Sequence, residues 1–126
     1  MSTTLGEVIR SALANDAAVV ALVGTKIFPN VAPQGTLAPW IVYIEVSAVP
    51  ENSFTSAVAT QLVNSRLQVD CYAKQYLEAH AIGDAVNAVL SALATADVAI
   101  WRTLSRDLYD NDAQLHRVST EFSAFR

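Results

Sequence analysis

The sequence predicts an α+β domain: a four-stranded, mainly antiparallel sheet packed by helices on one side, in the order α-α-β-β-α-β-β. Two observations carry this reading. Apolar residues recur at helical spacing near the N-terminus and again over Lys74–Ala96, while three later stretches alternate apolar and polar with a period of two. Proline and glycine then punctuate the chain between Gly24 and Pro39, where regular structure should stop. At 126 residues the chain is read as one domain, 1–126, large enough to bury a core without disulfides.

Thr4-Leu5-Gly6-Glu7 matches a capping box, in which hydroxyl and carboxylate satisfy early backbone N–H groups. Leu5, Val8, Ile9, Ala12 and Leu13 follow on one helical face. Asn15-Asp16 can cap a second, shorter helix through Ala17–Val23, with Gly24 suited to its exit. From Trp40 to Ala48 the residues Trp40, Val42, Ile44, Val46 and Ala48 take one side, and Ile41, Tyr43, Glu45 and Ser47 the other. Pro50 to about Thr60 is polar and reads as a long connection, the kind that serves as an arm in many proteins.

Gln61–Ala73 is the best-defined strand. Val63, Leu67, Val69 and Cys71 point one way, and Asn64, Arg66, Gln68 and Asp70 the other. That polar stripe is either a solvated face or a subunit contact or lumen wall. In the long helix, Ile82, Val86, Val89, Leu90 and Leu93 form the apolar stripe, whose burial contributes on the order of 8–15 kcal/mol before entropy. Gly83 costs up to about 1 kcal/mol against alanine there, and close approach of a strand would explain it. Two strands finish the chain, about Val98–Leu108 and Leu115–Phe125, joined by the turn-forming Tyr109-Asp110-Asn111-Asp112.

Composition narrows the function. Charged residues make up 16% of the chain and apolar ones 52%, which fits surface buried in an oligomer or an alanine-rich monomer. The formal charge is −4 and no Lys/Arg cluster occurs, so an electrostatic footprint for gripping nucleic acid is missing. The N-terminal residues carry no secretion signal, and the longest apolar run, Ala17–Val23, is too short to cross a bilayer. These features fit a soluble cytoplasmic protein with no membrane partner.

No catalytic, metal or cofactor site is expected. His80 and His116 lack partners at ligand spacing. Asp110-Asn111-Asp112 opens like a calcium loop but lacks the glycine and glutamate that should follow. Cys71 falls in a core-facing pattern, which argues against a thiol centre with either histidine. The four glycines are scattered rather than gathered into a phosphate loop. Arg102 and Arg106, four apart, are expected on one side of their strand, with Arg66 and Arg117 near; they could meet phosphate or pair with Glu45, Asp70, Asp107 or Glu121.

Particular segments point further. Ala21-Leu22-Val23-Gly24, Ile27-Phe28-Pro29, Val31-Ala32-Pro33-Gln34-Gly35, Pro39-Trp40-Ile41-Val42-Tyr43 and Val69-Asp70-Cys71-Tyr72-Ala73 stand in that order, before a helix with Ala79, Ala81 and Asp84-Ala85-Val86. This series resembles the tail-completion, or tail-terminator, family of long-tailed bacteriophages. The likeness runs from about Leu5 to Leu93 and fades in the last two strands. Lys26 and Phe28 replace the Arg and Tyr that the family often has beside its Ile-Tyr-Pro step.

The resemblance implies a virion assembly protein and no active-site residue. Such proteins form a ring, typically a hexamer, at the head-proximal end of the tail tube, stop its polymerisation and offer a docking surface to the head. The implied partners are further copies of the chain, the tail tube protein and a neck or head-completion protein. DNA passes through the lumen without specific binding, and no cofactor is involved. Assembly would take place in the host cytoplasm. The candidate interface is the stripe Asn64, Arg66, Gln68 and Asp70, together with Pro50, Glu51, Asn52 and Phe54. The alternatives are a neck or head-completion connector, and a small ligand-binding domain or enzyme using the Pro29–Pro39 loop as a lid.

Overall fold

A computed structural model describes residues 5–51, 62–93 and 99–125. Two helices open the chain, α1 (Leu5–Ala14) and α2 (Ala17–Val23), followed by β1 (Ile27–Pro29), β2 (Trp40–Glu51) and β3 (Leu62–Ala73). Helix α3 (Tyr76–Ser91) then leads to β4 (Ala99–Asp110) and β5 (Leu115–Phe125). The sheet order is β1-β2-β3-β5-β4. Three of its pairings are antiparallel, and only β1 runs parallel to its neighbour β2.

The α+β class and the helices on one side agree with the sequence. The difference is a fifth strand. Ile27-Phe28-Pro29 is too short to show an alternation, and β1 exists because Ile27, Phe28 and Pro29 lie beside Ile41, Val42 and Tyr43. Thr4 of the expected capping box lies outside the described residues. Asp16 does cap α2: its backbone is extended and its carboxylate accepts the Val19 N–H at 3.1 Å. Gly24 ends the helix at φ +64°, where a side chain would be strained.

The core lies between the three helices and one face of the sheet. Leu5, Ile9 and Leu13 of α1 and Ile82, Val86 and Leu90 of α3 bury against Leu67, Val69 and Cys71 of β3 and Val118 and Phe122 of β5. A Cβ built on Gly83 would sit 3.1 Å from Val118 Cγ1. The missing side chain is therefore what lets α3 close onto β5, the close approach expected from sequence.

Candidate assembly surface

The face of the sheet away from the helices carries the polar residues, and the strand register arranges them in rows. The first row across β2, β3, β5 and β4 is Trp40, Tyr72, Arg117 and Leu108. Trp40 and Tyr72 stack with ring centroids 5.1 Å apart, and Arg117 Nη1 donates to Tyr72 Oη at 3.3 Å. That hydrogen bond raises the arginine pKa further and holds the guanidinium charged above the ring.

The next row is Val42, Asp70, Ser119 and Arg106, and the one after it Ile44, Gln68, Glu121 and Leu104. Gln68 Nε2 donates to both carboxylate oxygens of Asp70, at 3.2 and 3.1 Å. Further along, Arg66 stands between Ser47 and Ser123 in register, and Ser123 Oγ donates to Asn64 Oδ1 at 3.2 Å.

All four stripe residues of β3 thus share the open face, but they are not equally available. Arg66 is exposed, Asn64 and Gln68 are half-buried, and Asp70 is only 3% exposed. Asp70 lies mid-sheet, where the side chains around it exclude water and Gln68 supplies the hydrogen bonds. Any contact role for it would be indirect. Pro50 and Glu51 belong to β2, opposite Val63 and Leu62, rather than to a loop. Asn52 and Phe54 lie outside the described residues.

Two shallow depressions open on this face. One, about 430 Å³, lies beside Asn30, Val31 and Ala32 and is floored by Trp40, Val42 and Asp70; the other, about 490 Å³, lies between Arg66, Leu104 and Glu121. The first is lined also by Tyr72, Asp110 and Arg117, with Arg117 donating to Tyr72 and Asp70 accepting from Gln68. Cys71 faces the core, where burial and then the nearby Asp70 charge push its thiol far above the usual range, so the inert-thiol reading holds. Asp110 accepts the N–H groups of Asp112 and Ala113 at 3.0 and 3.2 Å, the bonding of an ordinary turn.

Two arrangements differ from the sequence reading or escaped it. A register shift between Arg102 and Leu104 places Arg102 across from Phe122, on the helix side, while Arg106 lies across from Ser119 on the open face. A β-bulge adds one residue to a strand, so the two arginines expected together are on opposite faces. Separately, His80 Nε2 approaches Asp107 Oδ1 to 2.8 Å, without the alignment of a hydrogen bond. Tyr76 packs on His80 with ring centroids 4.5 Å apart and lies 5.9 Å from His116, against which Tyr109 packs at 4.9 Å. No spacing along the chain could have signalled that cluster, because α3, β4 and β5 meet only in the fold.

Among the described residues the open sheet face mixes polar side chains with the apolar Trp40, Val42, Ile44 and Leu104, a composition that suits contacts between proteins. The chain belongs to the family described as tail completion protein gp17, whose model matches residues 7–125. The match thus extends through the last two strands, beyond the stretch in which the resemblance was first legible. It makes this chain a structural protein of a bacteriophage tail, located in the virion. A chain in the virion of a native gene transfer agent particle shares the fold, with a TM-score of 0.75 and 21% identity over 96% of this chain and 92% of that one. No curated protein matches the sequence.

Proposed function

We propose that the protein forms a ring at the head-proximal end of the tail tube, ends polymerisation of the tube protein and presents the surface on which the head docks. Membership of the tail-completion family is the observation that carries this reading. The fold supports it physically. One sheet face is packed by helices and the other is open, so a single subunit can present different surfaces to a neighbouring copy, the tube and the neck. The work is done by surface complementarity, without catalysis or cofactor. DNA crosses the lumen unbound, in keeping with a net charge of −4. The stripe of Asn64, Arg66, Gln68 and Asp70 on β3 is the candidate contact or lumen wall, with the buried Asp70 held by Gln68.

Tube protein allowed to polymerise with and without this chain tests the reading. Short tubes that carry a ring at one end and no longer elongate are expected. Tubes that grow unaffected, together with binding to the neck protein alone, would favour the connector reading. Arg66→Glu is the cleaner probe of the open face, since Gln68→Glu would set a second carboxylate against the buried Asp70.

A further inference from the structure

Among the described residues, large apolar side chains are left exposed on helices α2 and α3, at Val20, Tyr76 and Leu77, and also near both edges of the sheet. Trp101, Leu104 and Tyr109 are on β4, the last strand on one side, and Val46 is on β2 near the other. Leu104 is 43% exposed and Val46 50%. Strand β4 pairs only with β5, and β1 ends opposite Tyr43, so β2 from Ile44 onward has no strand on its outer side among the described residues. A notch of about 330 Å³ opens there, lined by Gly6, Pro29, Tyr43 and Glu45. Unpaired strand edges of this length are templates for another strand.

The two edges match one another. Strands β2 and β5 run one way and β3 and β4 the other, so a neighbouring copy placed by simple rotation sets its β2 antiparallel to this copy's β4. Charge agrees in register. Glu45 pairs with Leu67, Leu67 with Phe122, and Phe122 with Arg102, so Glu45 and Arg102 occupy one row, on the helix side, at opposite ends. Both are exposed, and neither makes an ion pair among the described residues. In the adjacent row Ile44 and Leu104 bear the same relation on the open face. The β4 bulge creates this correspondence, because without it Arg102 would face the other way.

We infer that copies of this chain join head to tail by antiparallel pairing of the β4 edge with the free β2 edge of the next copy, with Arg102 of one opposite Glu45 of the other and Leu104 against Ile44. This rests on the ring reading and names the contact that closes the ring.

The test measures assembly mass for the wild type, Arg102→Glu, Glu45→Arg and an equimolar mixture of the two variants. The native masses are read in solution and on tail tubes, and circular dichroism confirms the fold. Each variant alone brings like charges together and is expected to weaken association by about tenfold or more. In the mixture every head-to-tail contact regains opposite charges, and rings of alternating subunits should return. Leu104→Lys should also lose assembly, and no charge change at Glu45 should rescue it fully. Wild-type rings alongside single variants that assemble normally, or a mixture no better than its parts, would overturn this contact while leaving the ring reading intact. A wild type that forms no ring in solution or on tubes overturns both.

Discussion

The middle of the sheet and its β4 edge are built from strands of similar length and end in opposite states. In β3 and β5 the helix-facing residues Leu67, Val69, Val118 and Phe122 are buried under α3. In β4 the residues from Trp101 to Asp107 are exposed on both faces, and among the described side chains of the strand only Ile100 joins the core. Central strands gain their stability from apolar burial, whereas β4 is held chiefly by its ladder to β5. Substitutions in the two regions should therefore move different observables, folding in one and association in the other.

The largest effect is expected from Phe122→Ala, which removes a fully buried ring beneath α3. A loss of about 3–5 kcal/mol follows from transfer and cavity terms together, visible as a large drop in Tm whether or not the chain assembles. An intact Tm would show that the centre is not where stability resides. Gly83→Val should come next. Its Cβ alone would stand 3.1 Å from Val118 Cγ1, and lifting α3 off β5 should cost about 1–3 kcal/mol in urea unfolding. Asp16→Ala removes the cap of α2 and should cost about 1 kcal/mol, while Asp16→Asn should retain most of it. At the other extreme, Leu104→Lys should leave Tm nearly unchanged, within about 0.5 kcal/mol, since the residue is exposed. A strong destabilisation there would mean that β4 belongs to the core after all.

Much of this comparison was legible along the chain. The helical faces, the Asp16 cap, the alternation of β3 and β5 and the close approach at Gly83 all follow from local patterns that survive packing. The β4 edge was less so. The Arg102–Arg106 spacing reads as one face because alternation presumes a regular strand, and the bulge that separates them is seen only in the pairing with β5. The stripe on β3 was legible as a face but not as a gradient of exposure: Asp70 carries the same signature as Arg66 and yet is buried, since neighbours supplied by β2 and β5 close over it.

The sequence by itself determined the α+β class, the order of every element except β1, the inert Cys71 and, through its loop and strand segments, kinship with tail-completion proteins. These depend on interactions among residues a few positions apart or on composition. Only the tertiary structure decided that Ile27–Pro29 becomes a strand, that His80 meets Asp107, and that Glu45 and Arg102 end one row at opposite edges. Each depends on register between distant segments. A displacement of one residue would turn the side chains to the other face, so no local pattern can specify it.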